Sequence, residues 1–245
     1  MGKIIAVVNQ KGGVGKTTSA VNLTAALHEL GLKVLLCDFD PQANATSGLG
    51  LDKRRIKYSA YDVTINDVPL KEAVVHTDYG DVLPSSSDLA GAAVELIGTE
   101  HRERQLEKAL FRAKEDYDII FIDCPPSLEL LTLNGLCAAD GILVPVQCEY
   151  FALEGLSDLM STLRMVKKRM NPRFGLSLLK TNRLVRTFKK KVIVGMSGGV
   201  DSSVTALLLK QQVFLLNHFE NRSVLCYLLH FYAHIDRTMR LKAGT

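Results

Sequence analysis

The chain has 245 residues, of which 47% are apolar and 23% charged, with a formal net charge of +4. That balance is ordinary for a globular protein and gives no sign of disorder. There is no run of about 18 apolar residues, so no membrane span is expected, and Asn9 and Lys11 interrupt the first apolar run before it could act as a secretory signal.

The charge is unevenly placed. Residues 1–172 carry 18 Lys and Arg against 23 Asp and Glu, whereas residues 173–245 carry 12 against 3. The basic character belongs to the last third, which suggests either a nucleic-acid-binding tail or a segment of different origin. The five cysteines are scattered without a CxxC spacing and mostly fall in apolar runs. They read as reduced core residues of a cytoplasmic protein.

Ile4-Ile5-Ala6-Val7-Val8 reads as a buried parallel strand. It runs into Lys11-Gly12-Gly13-Val14-Gly15-Lys16-Thr17-Thr18 and then into an amphipathic helix, with Ala20, Leu23, Ala26 and Leu27 on one face and Gly31 as its stop. Strand, glycine loop and helix in that order form a phosphate cradle. Glycines let the loop curl so that its N–H groups converge on an anion at the positive end of the helix dipole. Lys16 is placed to meet the β- and γ-phosphates of ATP, and the Thr17 hydroxyl to ligate Mg²⁺.

A second buried strand, residues 33–38, ends in Asp38, with Asp40 two residues on. Carboxylates just past the carboxyl end of a parallel strand lie at the site edge of an α/β sheet. Residues 64–75 look helical, 81–86 read as a short strand and turn, and Ser87-Asp88-Leu89-Ala90 reads as a step into the next helix. Residues 100–115 are expected to form one charged helix with Leu106, Leu110 and Phe111 inward. A further strand begins at Asp118, at the wrong end for catalysis, and finishes at Asp123. A carboxylate there, opposite the glycine loop, is the Walker B position that holds Mg²⁺ directly or through water. Residues 141–146 are another strand, and Leu153 to Met170 an amphipathic helix.

The glycine loop departs from the general P-loop pattern: Gln10 stands where glycine is wanted, and Lys11 precedes the glycine pair. KGGVGKTT resembles the deviant Walker A motif of the ParA/MinD group, and VLLCDFDPQANAT, DCPPSL and QCEYFALEGL resemble further ParA/Soj-type segments, together covering about residues 1–172. The resemblance implies an α/β, P-loop NTPase-like, mostly parallel sheet with helices on both faces. It implies an ATP-dependent homodimer with Lys11 reaching the nucleotide of the second subunit, and Asp40 orienting the attacking water. Catalytic roles then fall to Lys11, Lys16 and Asp40. The loop residues Gly12, Gly13, Val14, Gly15, Lys16, Thr17 and Thr18 hold ATP, and Thr17, Asp38 and Asp123 hold Mg²⁺. Non-specific DNA and a ParB-like activator are the implied partners, and the nucleoid the implied location within the cytoplasm.

After Pro172 the resemblance stops, so the expected front domain is C-terminally truncated and lacks the family's later strands. A basic linker, residues 173–190, leads into KKVIVGMSGGVDSSVTALLLKQQ. SGGVDSS resembles the PP-loop of N-type ATP pyrophosphatases, as at the opening of a tRNA 2-thiouridylase of the MnmA kind. That resemblance implies ATP binding by Ser197, Gly198, Gly199, Asp201 and Ser202 in a βα fragment over 191–212, with tRNA as partner. Residues 213–245 form an unassigned tail; His218, His230 and His234 there are not joined by a carboxylate or cysteine into a metal-ligand set. Three readings stay open: a ParA-type partition ATPase, a tRNA-modifying adenylating enzyme, and a hybrid of the two with an exposed sheet edge.

Overall fold

The computed structural model describes residues 1–145 and 152–174. Its framework is a six-stranded sheet: β1 (Lys3–Val7), β2 (Val34–Asp38), β3 (Val75–Thr77), β4 (Gly80–Leu83), β5 (Ile119–Asp123) and β6 (Gly141–Leu143). The spatial order is β3-β4-β2-β5-β1-β6. Every pairing is parallel except the β3–β4 hairpin. The helices are α1 (Lys16–Glu29), α2 (Asn44–Gly48), α3 (Ala60–Ile65), α4 (Leu70–Ala73), α5 (Ala92–Glu95), α6 (Gln105–Leu110), α7 (Ala113–Asp116), α8 (Leu130–Ala138) and α9 (Ala152–Arg169).

The central strands are apolar throughout because both of their faces are covered, as a parallel sheet requires. Alternation along β1 sends Ile4, Ala6 and Val8 to one face and Ile5 and Val7 to the other. The first face packs with Leu35, Ile120 and Ile122 under side chains of α3, α6, α8 and α9, including Leu106, Leu136, Leu159 and Leu163. The second packs with Leu36 and Phe121 under Ala20 and Leu23 of α1 and Ala45 of α2. Each fully buried leucine contributes roughly 2 kcal/mol of transfer free energy. Gly135 of α8 lies so close to β5 that a Cβ there would sit 2.7 Å from the Cys124 sulfur, which brings α8 tight against the sheet.

Two expected helices are broken differently from the sequence reading. Residues 64–75 are not one helix. Ser59 and Asp62 form a capping box that starts α3 earlier, at Ala60, and Asp67 at φ 53 then turns the chain. Pro69 precedes the short α4, and the β3–β4 hairpin follows. Residues 100–115 split into a 3₁₀ turn at Arg102–Arg104, α6 and α7. Leu106 and Leu110 point inward as expected, but Phe111, in the break between the two helices, is 55% exposed. The strand expected over 141–146 is shorter, Gly141–Leu143.

Among the described residues β6 is one edge of the sheet, paired to β1 alone. The candidate residues Ser197, Gly198, Gly199, Asp201 and Ser202, with the PP-loop fragment and the tail, lie outside the described residues.

Candidate functional site

The site is built where β1, β2 and β5 end side by side. β1 hands over to the glycine loop, and the loop to α1, whose first residue is Lys16. Gly13 and Gly15 adopt φ of 71 and 90, in the left-handed region that glycine enters without strain. At Gly12 a Cβ would meet no atom within 4 Å, so this part of the loop faces open space. Val14, Gly15 and Lys16 are buried, and the Val14 side chain anchors the turn in the protein.

Asn9 holds the base of the loop. Its amide Nδ2 donates to the Pro145 carbonyl at 2.7 Å, and its Oδ1 accepts from the Lys11 backbone N–H at 3.0 Å. The sequence reading passed over Asn9. The signal was present, since an Asx side chain that bonds the backbone two residues on is a turn former, and this one interrupts a buried strand just before the glycines.

Lys16 is only 7% exposed, and its Nζ donates to the Lys11 carbonyl at 3.1 Å. Burial pushes the Lys16 ammonium below its ordinary pKa, while the carboxylates of Asp123 and Asp40 push back. The loop lysine is thus a buried cation facing the two acids named from sequence. Lys11, Gly12 and Gly13 are exposed on the loop, and Thr17 and Thr18 follow on the first turn of α1.

Asp38 and Asp123 are direct partners in the β2–β5 register. Their surroundings differ sharply. Asp38 Oδ2 accepts from the Thr46 N–H and the Thr46 hydroxyl, both at 2.7 Å, and Oδ1 accepts from the Asp40 N–H at 3.3 Å. Thr46 in turn accepts from the Ser85 N–H at 3.0 Å, tying the end of β4 to the same carboxylate. Asp123 is 1% exposed, and neither of its oxygens accepts a hydrogen bond from the protein. Burial, then the charge of Asp38, raises its pKa to about 7; the Thr17 side chain offsets part of this from outside hydrogen-bonding geometry. Asp38 is raised to about 6, chiefly by burial and against its own hydrogen bonds. Asp40 is 7% exposed, and its Oδ1 accepts from the Gln42 N–H at 2.9 Å.

A buried carboxylate with no donor is costly unless something supplies positive charge. No group of three or more His, Cys, Asp or Glu side chains among the described residues could hold a metal by itself. One acid beside a threonine hydroxyl and a phosphate cradle suits magnesium, which keeps several waters and takes the rest of its shell from one or two carboxylates and substrate phosphates. The residues present therefore fit Mg²⁺ bound with a nucleotide.

Comparison with known proteins agrees with this geometry. The model of a family described as AAA domain matches residues 2–176, and a second, described as the tRNA methyl transferase HUP domain, matches residues 190–224. The sporulation initiation inhibitor protein Soj of Bacillus subtilis is 53% identical over 173 residues, covering 70% of this chain and 68% of Soj. The chromosome partitioning protein ParA of Myxococcus xanthus is 51% identical over 174 residues, covering 70% of this chain and 62% of that protein. The solved structure of cobyrinic acid a,c-diamide synthase from Mycobacterium smegmatis with bound ADP and magnesium superimposes with a TM-score of 0.73 at 36% identity, covering 93% of this chain and 99% of the other. Glycine loop, buried lysine, orphaned strand-end carboxylate and sequence identity converge: over residues 2–176 the chain belongs to the AAA-domain family of P-loop ATPases, in the line that includes Soj and ParA.

Proposed function

We propose that this chain is a nucleotide-switched partition ATPase that binds Mg·ATP at the β1–α1 loop and hydrolyses it slowly. The observation that carries the reading is Asp123, buried and without a donor, facing the buried ammonium of Lys16. Loop amides of Gly12, Gly13, Val14 and Gly15 cradle the phosphates, and Lys16 leaves the Lys11 carbonyl to meet them. Thr17 and Asp123 hold the magnesium, whose charge neutralises the phosphate oxygens. Asp38 is fixed by Thr46 through Oδ2, and its Oδ1, which accepts only from the Asp40 N–H at 3.3 Å, keeps a lone pair for the ion. Asp40 has one oxygen engaged and lies within electrostatic reach of Lys16, which suits it to orient the attacking water. Lys11, exposed on the loop, is the residue to cross to the nucleotide of a second copy.

In this reading the ATP-bound homodimer holds non-specific DNA, answers to a ParB-like activator and works on the nucleoid in the cytoplasm. No helix among the described residues is long and apolar enough to cross a membrane. Residues 1–172 form the ATPase domain, 173–190 a basic linker, 191–212 a PP-loop fragment and 213–245 a tail.

A second reading rests on the match over 190–224. There Ser197, Gly198, Gly199, Asp201 and Ser202 bind the pyrophosphate of a second ATP, for adenylation of tRNA. One experiment separates the two: phosphate release, pyrophosphate release and ATP-dependent dimerisation in wild type, Lys16→Ala and Ser197→Ala. Loss of phosphate release and dimerisation in Lys16→Ala alone supports partition ATPase activity. Pyrophosphate release that depends on Ser197 and survives Lys16→Ala overturns it.

A further inference from the structure

The sheet carries a second concavity at its other end. A cavity of about 830 Å³ opens at the amino-terminal rim, between the end of α1, the start of β2, α4 and the α6–α7 turn. Its volume falls in the range of small-molecule sites, roughly 300–1,000 Å³. It is separate from the nucleotide loop: α1 begins at Lys16 in the loop and reaches the cavity at His28, about 18 Å along the helix axis at 1.5 Å per residue. β2 likewise meets the cavity at Val34 and the nucleotide site at Asp38.

The interior is apolar, with Leu32, Val34, Leu70, Val74, Ala109 and Ala113 on its walls. One polar group is built into it. Asp81 accepts from the Tyr117 hydroxyl at 2.7 Å and bonds His76 Nδ1 at 2.6 Å, so its carboxylate is fully engaged by two lining side chains. The other acid of the cavity, Asp116, pairs with Lys71 at 3.2 Å. Lys33, Lys71 and Arg112 against Asp81 and Asp116 leave the lining with one surplus positive charge, and Lys71 is the cation already paired. An apolar hollow with a net positive lining, whose two carboxylates already have partners, selects against cations and leaves the charge unanswered by a neutral hydrocarbon.

We propose that this cavity is a second ligand site, taking a small amphipathic organic anion: a ring-sized apolar body against the Leu70–Val74 wall and an acidic group toward Arg112 and Lys33. None of the residues assigned to ATP lines it.

The probe is 1-anilinonaphthalene-8-sulfonate, an anion of this build, titrated by fluorescence into the full chain with excess Mg·ATP present. The expected result is a saturable one-to-one phase that Mg·ATP does not displace. Arg112→Glu and Lys33→Glu, both on exposed side chains, should each weaken that phase at least tenfold, and Ala109→Trp, which fills the hollow, should remove it. The neutral analogue N-phenyl-1-naphthylamine should bind at least tenfold more weakly. The proposal is overturned if both charge reversals leave binding unchanged, if Mg·ATP displaces the probe, or if the neutral analogue binds equally well. Should Ala109→Trp lose its near-UV circular dichroism, the two surface reversals still decide the question.

Discussion

The two rims of the sheet use the same residue type in opposite ways. At the amino-terminal rim every strand-start aspartate is engaged. Asp140 accepts from the Ile4 N–H at 2.9 Å and from Lys114 at 2.8 Å; Asp118 accepts from the Lys33 N–H at 2.9 Å; Asp81 holds Tyr117 and His76. These carboxylates stitch β1, β2, β4, β5 and β6 to their neighbours. At the carboxyl-terminal rim Asp123 has no protein donor, although it is far more deeply buried. A satisfied acid returns its desolvation cost to the fold; an orphaned one holds that cost until a ligand arrives. Asp38 stands between the two cases, at the carboxyl-terminal rim but bonded like the acids of the other rim.

The contrast can be broken most forcefully at Asp123. Asp123→Asn should cut magnesium-dependent ATP hydrolysis by on the order of 100-fold or more. It should also stabilise the unliganded protein. The folded-state pKa of about 7 lies above the ordinary carboxylate value of 3.8, so the folded chain keeps a proton that the unfolded chain gives up. Unliganded stability should therefore fall as pH rises from about 4 to about 7 and level off above that. Asp38, raised to about 6, adds to the same slope. At pH 8 Asp123→Asn should exceed wild type by on the order of a few kcal/mol in urea unfolding without nucleotide. Equal stability of the two proteins at pH 8 would show that Asp123 is not a stored cost.

Thr46→Val tests the intermediate case. It removes the hydroxyl donor from buried Asp38 and the acceptor of the Ser85 N–H, and should destabilise by about 2–4 kcal/mol while slowing hydrolysis less than Asp123→Asn does. At the opposite rim Asp140→Ala loses two bonds and should lower stability by about 2 kcal/mol with nucleotide affinity unchanged. Asp118→Ala loses one exposed bond and should cost under about 1 kcal/mol by the same assay. A change in nucleotide affinity in either rim variant would erase the distinction.

Much of this was readable from the residues. The buried strands announce themselves as apolar runs ending in Asp38 and Asp123, and the glycine loop between strand and helix fixes the site. The sequence also placed Asp38 and Asp123 together, because strand-end acids of a parallel sheet share one rim. It could not say that Thr46 and the Asp40 amide occupy Asp38 while Asp123 goes without, since that depends on how the 38–46 loop curls back. Residues 64–75 misled because their apolar spacing suits a helix, and the positive φ at Asp67 with Pro69 overrides it. Phe111 misled because its inward placement assumed an unbroken helix across 100–115.

Asn171 sets a practical limit on how the protein can be dissected. Its single side-chain amide donates to the carbonyls of Leu136, Cys137 and Ala139, at 3.2, 2.9 and 2.9 Å, at the end of α8. Phe174, three residues on, is fully buried in the core. A fragment cut before Asn171 would strip the C-terminal cap from the helix packed on the Asp123 strand and unplug a core aromatic. A boundary placed after Phe174 keeps both contacts.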